Sequence, residues 1–121
     1  MGLNPLTSKW LEAVGTGSPA AVTNLYAASA VLLPTVSPRI LVGHLAIEGY
    51  FVDLMKKPGI TVTTWGIEHV QRIVGGLSIS GNYSFTWNQG NIPARYTFVW
   101  AVSDNRASIL THHSSAIPRT G

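Results

Sequence analysis

The chain contains no cysteine, which excludes disulfide bonds, thiolate metal sites and cysteine nucleophiles. It is also poor in charge, because charged residues make up 11% of its 121 residues, where about a quarter is usual in globular domains. Hydrophobic residues make up 45%. So much apolar surface predicts that part of it is covered, most simply in a homodimer.

Long apolar runs are absent as well. None approaches the roughly 18 residues that cross a membrane, and the amino terminus lacks the basic and then apolar pattern of a secretion signal. The sequence therefore predicts a soluble protein without a membrane partner. Its compartment would be the cytoplasm if the chain is complete, and an organelle or the periplasm if a targeting segment once preceded it.

The formal net charge of +3 does not indicate nucleic-acid binding. The eight basic residues are scattered along the chain, and only Lys56 and Lys57 are adjacent. A protein that binds nucleic acid normally concentrates its cations on one face. We therefore expect a mildly basic, solvated surface and no nucleic-acid partner.

The first half of the chain is typical of helices and short strands. Apolar residues three and four positions apart indicate an amphipathic helix near the start, and Ser18 followed by Pro19 supplies the cap and first position of a second helix. Pro58 and Gly59 end a third helix. The predicted elements are helices at residues 6–13, 19–28 and 44–55, and strands at residues 31–34 and 40–42.

In the second half the apolar period changes to two, and the segments are rich in Val, Ile, Thr and aromatic residues. The predicted strands lie at residues 60–67, 68–74, 77–87, 95–103 and 107–115. Helices followed by an antiparallel meander predict an α+β fold, with the helices packed on one face of a curved sheet. We expect residues 1–121 to form one domain.

Two histidines and two serines stand side by side at positions 112–115. A catalytic zinc site needs about three converging ligands. Neighbouring side chains on a strand point to opposite faces, so His112 and His113 are not expected to hold the same ion. We therefore expect no metal, with zinc or manganese as the disfavoured alternative. Neither serine lies in a Gly-x-Ser-x-Gly elbow or beside an aspartate, so a serine nucleophile is not expected either.

Strand alternation divides this segment into two sets. Thr111, His113 and Ser115 share one face, and His112 and Ser114 share the other. One set should line whatever the sheet encloses, and buried polar groups must be hydrogen-bonded there. A structural network that only fixes strand register accounts for the pattern as well as a reactive site does.

Three other polar residues have similarly open roles. Thr35 follows a proline in a turn, and Tyr50 fits either the core or its rim. Arg95 shares a strand face with Thr97, where it can hold an anion or simply face solvent.

Several segments resemble one known family. They are residues 20–27, 31–37, 43–51, 80–83, 94–99 and 112–118. The most specific are Leu32-Leu33-Pro34-Thr35-Val36-Ser37 and His112-His113-Ser114-Ser115. Together they resemble the iota-class carbonic anhydrases, in the calcium/calmodulin-dependent kinase II association-domain-like branch of the nuclear transport factor 2-like superfamily.

The resemblance implies a cone-shaped α+β barrel with helices on its concave face, a pocket inside the cone, and a homodimer formed through the sheet. Some members of the family hydrate carbon dioxide without metal, and others prefer manganese. The matching pocket positions are Thr35, Tyr50 and the His-His-Ser-Ser segment.

Hydration of carbon dioxide to bicarbonate requires apolar walls and a few directed hydrogen-bond donors. We predict that Thr35, Tyr50 and Ser115 supply hydroxyls and that His113 accepts the proton of water. The remaining predicted residues, His112, Ser114 and Arg95, would bind the substrate.

Two alternatives stay open. The fold also serves as a non-catalytic ligand-binding or oligomerisation module, since fold does not determine function. Isomerase-like and cyclase-like enzymes of the superfamily usually carry a pocket Asp or Glu as base. None of the five acidic residues is expected to line the cone, which counts against this class. These residues are Glu12, Glu48, Asp53, Glu68 and Asp104.

Overall fold

The computed structural model of the protein describes residues 2–35 and 37–118. Within these ranges the elements are α1 (Pro5–Gly15), α2 (Pro19–Thr23), β1 (Tyr26–Leu33), β2 (Leu41–Val42), α3 (His44–Leu54), β3 (Thr61–Ile73), β4 (Gly76–Trp87), β5 (Gly90–Ser103) and β6 (Arg106–Ala116). This order confirms the predicted α+β class.

The described strands form a single sheet in the order β2-β1-β6-β5-β4-β3. Every neighbouring pair is antiparallel except β1 and β6, which run parallel. The sheet runs from an edge at β2 to an edge at β3 and does not close in the described residues. The predicted antiparallel meander is therefore confirmed for β3 to β6, whereas the parallel pairing of β1 with β6 departs from the predicted antiparallel sheet and the closed barrel is not confirmed.

The helices pack against one face of the sheet, which we call the core face, and the opposite face is the outer face. Side chains from α1, α2 and α3 meet inward-facing residues of the strands in one apolar cluster. Its largest fully buried members are Trp10, Trp100, Tyr26, Tyr83, Phe51 and Phe98. The interior is thus built largely from aromatic rings, and several of these carry a polar group that needs a partner.

The first two helices begin as predicted. Asn4 caps α1 and Ser18 caps α2, and each cap is followed by proline at the first helical position. The second helix, however, ends at Thr23 and not near residue 28. Tyr26 instead pairs with Ile109 of β6, so tertiary strand pairing overrides the helical pattern there. Among the described residues, none of the helices is both long and apolar enough to cross a membrane.

The predicted strands at 60–67 and 68–74 are one strand, β3, interrupted by a bulge. Pairing with β4 shifts between Trp65 and His69, so that residues 66–68 lie opposite Gly81. Gly66 has a positive φ of 76° at this point, a conformation that glycine adopts without strain. The bulge adjusts the register and brings Glu68 into contact with α1.

Candidate active site

A chain of hydrogen bonds runs through the aromatic interior of the protein. His112 of β6 is 2% exposed. Its Nδ1 atom lies 2.8 Å from the hydroxyl of Tyr26, and its Nε2 atom lies 3.0 Å from the hydroxyl of Tyr83. At one end the indole of Trp10 donates to Tyr26 over 3.0 Å.

At the other end the chain reaches two small hydroxyls. Tyr83 donates to the Oγ atom of Ser114 over 2.6 Å, and Ser114 is hydrogen-bonded to the hydroxyl of Thr35. We call these six residues the buried hydrogen-bond chain: Trp10, Tyr26, His112, Tyr83, Ser114 and Thr35. It crosses the core from α1 to the turn after β1.

Aromatic rings enclose the imidazole at the centre of this chain. The ring of Phe98 stacks on His112 with centroids 4.1 Å apart and an interplanar angle of 25°. The indole of Trp10 meets the same ring edge-on at 5.5 Å. The polar groups therefore lie in an environment of low polarity, where each hydrogen bond is strong and each unpaired group is costly.

This burial keeps the chain uncharged near neutral pH. Burial, together with repulsion from His113, lowers the pKa of His112 from 6.5 to about 3. Burial also raises the pKa of Tyr83 well above its ordinary value, although the hydrogen bond to Ser114 opposes this change. Burial likewise raises the pKa of Tyr26, against the hydrogen bond from Trp10. His112 is therefore a neutral imidazole and not a proton acceptor at physiological pH.

Tyr50 of α3 lies at the rim of this interior. Its ring packs edge-on against Phe51, with centroids 5.2 Å apart. It lines a cleft of about 310 Å³ together with Ser37, Asp53, Leu54 and Lys57. Burial raises the pKa of Tyr50 to about 12, and a charge on Tyr50 would raise the pKa values of Tyr26 and Tyr83. Tyr50 therefore lies between the cleft and the aromatic core, which it contacts through Phe51.

Three predicted site residues lie on the outer face, away from Thr35. His113, Ser115 and Arg95 line a second cleft, of about 370 Å³, on that face. In the sheet, Arg95 pairs with Ser115, and His113 pairs with Thr97. The prediction that His113 and Ser115 share a wall with Thr35 and Tyr50 is therefore corrected, and so is the assignment of Arg95 to the same pocket.

The physical reason for this correction is a bulge in β6. Trp100 pairs with Ile109, but the preceding residue, Val99, pairs with Thr111, so Leu110 has no partner in β5. The extra residue reverses the alternation beyond it. Ile109 faces the core, and after the bulge His112 and Ser114 face it as well.

The structure thus brings together Thr35, His112 and Ser114, with Tyr50 nearby. Trp10, Tyr26 and Tyr83 were not predicted as members of this hydrogen-bond chain. A signal for Tyr83 was present: it alternates in step with Ile79 and Phe85, both buried. A tyrosine in a core-facing series needs a partner for its hydroxyl.

One acidic residue does reach the core side, contrary to the expectation from the sequence. Glu68 accepts hydrogen bonds from the Asn4 backbone amide at 2.9 Å, from the Thr7 hydroxyl at 2.7 Å and from the Tyr96 hydroxyl at 2.7 Å. Gly81 permits the last bond, because a Cβ atom there would lie 2.6 Å from the hydroxyl oxygen of Tyr96. Both carboxylate oxygens are occupied, so Glu68 fastens α1 to the sheet and is not placed as a free base.

The donor set of the interior does not suit a zinc or manganese ion. His112 is the one imidazole of the buried hydrogen-bond chain, and tyrosine hydroxyls occupy both of its nitrogens. Among the described residues, no three His, Asp or Glu side chains come together in a way that could hold a metal. No step of the chemistry below is therefore assigned to a metal.

Solved structures of other proteins share this fold. A nuclear transport factor 2-like (NTF2-like) protein from Pseudomonas putida KT2440 is 14% identical, with a TM-score of 0.78 over 93% of this chain and 82% of that chain. A protein from Streptomyces avermitilis, described as a dehydratase of the NTF2-like family, is 13% identical, with a TM-score of 0.79 over 94% of this chain and 92% of that chain. The fold is NTF2-like.

The sequence defines the family more narrowly. Residues 2–118 match the calcium/calmodulin dependent protein kinase II association domain. A Xanthomonas campestris protein described as such a domain is 34% identical, with a TM-score of 0.86 over 95% of this chain and 85% of that chain. The chain belongs to this association-domain family. No curated protein matches the sequence.

Proposed function

We propose that the protein is a carbonic anhydrase, which hydrates carbon dioxide reversibly at the Thr35 end of the buried hydrogen-bond chain. One observation carries the proposal: the hydroxyls of Thr35, Ser114 and Tyr83 are joined to a neutral imidazole inside an aromatic interior. An apolar enclosure suits carbon dioxide, and directed hydroxyls suit bicarbonate. The resemblance to the iota class names the same activity.

In the proposed reaction, water adds to the carbon of carbon dioxide as one carbon–oxygen π bond breaks. The electron pair moves to oxygen, and the proton of the water passes to solvent, to which Thr35 is partly exposed. The Thr35–Ser114 pair then donates to the oxygen on which negative charge develops. Preorganised donors of this kind typically contribute a factor of about 100 to 1,000 each.

The role predicted for histidine changes in this proposal. His113 lies on the outer face, and His112, with a pKa lowered to about 3, does not take up a proton from water. His112 instead holds Tyr83, which in turn holds Ser114. The reaction relies on stabilisation of the oxyanion and not on general-base catalysis by imidazole.

Two adjacent serines on opposite faces provide a matched test. Stopped-flow measurements on metal-stripped protein should show carbon dioxide hydration that survives a chelator. Ser114→Ala should lower the rate roughly a hundredfold, whereas Ser115→Ala should leave it unchanged. Equal rates for the two folded variants, or activity that requires added zinc or manganese, would contradict the proposal.

The second candidate function is a non-catalytic association module. Its support is the family match itself and the apolar side chains on or beside the outer face, where Trp65 is 47% exposed and Ile67 is 77% exposed. A homodimer that covers this face remains our proposal for the oligomeric state. No hydration activity with or without metal, together with a concentration-independent dimer in light scattering, would favour the module.

A further inference from the structure

The structure assigns to Trp10 a role as a positioning residue: its indole N–H sets the direction of every hydrogen bond between it and Ser114. As a result the Thr35–Ser114 pair presents a spare O–H donor to ligand. A spare O–H donor favours a small oxyanion whose bound oxygen carries no proton, and this choice of ligand class rests on the proposed function. The direction of the hydrogen bonds between Trp10 and Ser114 does not depend on the proposed function.

The indole of Trp10 determines the hydrogen-bond direction at its end of the chain. An indole nitrogen can donate a hydrogen bond but cannot accept one. The hydroxyl oxygen of Tyr26 must therefore accept from Trp10, over 3.0 Å. The Tyr26 hydroxyl has one proton and two partners, Trp10 and His112, and the partner that donates to it cannot also receive its proton. The Tyr26 proton is left pointing at Nδ1 of His112, 2.8 Å away.

Tyr83 determines the hydrogen-bond direction on the other side of His112. Tyr83 donates its one proton to Ser114 over 2.6 Å. Its oxygen must then accept from Nε2 of His112, 3.0 Å away, because two lone pairs cannot bond to each other. Both ends thus require the same neutral tautomer, with the proton of His112 on Nε2.

At the Thr35 end of the chain, two hydroxyls share one hydrogen bond. Ser114 and Thr35 carry one hydroxyl proton each, and the bond between them uses only one, whichever residue donates it. Ser114 already accepts from Tyr83. One O–H donor is therefore left for a ligand, and a ligand oxygen that accepts this bond is favoured.

The tautomer can be observed directly. Long-range proton–nitrogen NMR spectra of ¹⁵N-histidine-labelled protein, assigned with His112→Gln, should show a single Nε2–H tautomer that does not titrate between about pH 8 and pH 5. The indole N–H of Trp10 should exchange slowly with solvent. An Nδ1–H form or a mixture in the unmodified protein would overturn the inference, as would rapid exchange at Trp10.

Trp10→Phe keeps a large ring and removes the N–H, so the Tyr26 hydroxyl no longer accepts a hydrogen bond from residue 10. We expect the two His112 tautomers to become mixed and kcat/KM for hydration to fall about tenfold. Trp100→Phe is the matched control, because the indole nitrogen of Trp100 is buried without a hydrogen-bond partner among the described residues. It should change neither the tautomer nor the rate.

An unchanged single tautomer in folded Trp10→Phe would refute the role of Trp10. The positioning role of Trp10 and the proposed function can be refuted separately. If the tautomer behaves as expected but the protein lacks hydration activity, the carbonic anhydrase proposal fails and the positioning role stands. Bicarbonate affinity, measured from the amide shifts of Ser114, then tests the spare donor, because Trp10→Phe should weaken binding severalfold.

Discussion

Acid should destabilise the protein through a single buried side chain, His112. Burial lowers the pKa of this imidazole from 6.5 to about 3 in the folded protein. In the unfolded chain the imidazole is exposed to water and titrates near its ordinary value. Between these two pH values the unfolded state binds one more proton than the folded state. The free energy of unfolding must therefore fall as the pH falls through this window.

The size of the effect follows from linkage. One proton taken up on unfolding changes the free energy of unfolding by about 1.4 kcal/mol per pH unit. From well above pH 6.5 down to about pH 5, His112 alone should cost about 2 kcal/mol. Carboxyl groups of ordinary pKa contribute little over this range, because they titrate lower. The loss is a large part of the stability of a typical domain, about 5–15 kcal/mol.

Urea denaturation at a series of pH values measures this slope directly. His112→Gln removes the titrating group and should flatten the dependence between about pH 7.5 and pH 5, whatever its absolute stability. His113→Gln, which changes the neighbouring histidine on the outer face, should keep the slope of the unmodified protein. A steep slope in His112→Gln, or a flat one in the unmodified protein, would refute a buried neutral imidazole.

Two further predictions concern the attachment of α1 to the sheet. Gly81→Ala places a Cβ atom 2.6 Å from the Tyr96 hydroxyl oxygen and should lower the free energy of unfolding by about 1–3 kcal/mol. Gly49→Ala is the control in helix α3, because a Cβ atom there would have no neighbour within 4 Å, and it should raise the free energy of unfolding by up to about 1 kcal/mol. Similar urea midpoints for the two variants would contradict this packing. Glu68→Gln replaces an acceptor oxygen with a donor and should lower the free energy of unfolding by about 1–3 kcal/mol. Backbone amides of α1 should then exchange faster with solvent, and unaltered exchange there would show that Glu68 does not hold the helix.

Much of the secondary structure could be predicted because its signals are local. Pro19 after Ser18 marks the start of α2, and Asp104-Asn105 forms the turn between β5 and β6. The errors fall where a distant strand decides the conformation. Tyr26 follows a helix and fits its apolar pattern, but pairing with Ile109, 83 positions later, makes it the first residue of β1. No local pattern contains that information.

The site was predicted in part for the same reason. The resemblance pointed to Thr35, Tyr50 and the whole His-His-Ser-Ser segment, and of these the structure joins Thr35, Ser114 and His112 in one hydrogen-bond chain. The choice between the two faces of β6 depended on Leu110, the bulged residue, and a bulge has no periodic signature. Trp10 and Tyr83 are far from His112 in sequence and contact it only in the folded core, Trp10 through its ring and Tyr83 through its hydroxyl.

The bulge at Leu110 also gives a reason for the doubled letters of the His-His-Ser-Ser segment. Two overlapping copies of His-x-Ser lie there, offset by one position: His112 with Ser114, and His113 with Ser115. If β6 straightened with Leu110 kept in the pairing, the two faces beyond it would exchange, yet an imidazole and a hydroxyl two positions apart, His113 and Ser115, would again point inward. Because the His-x-Ser pair is repeated, the core-facing side of β6 keeps one imidazole and one hydroxyl after a one-residue shift in register.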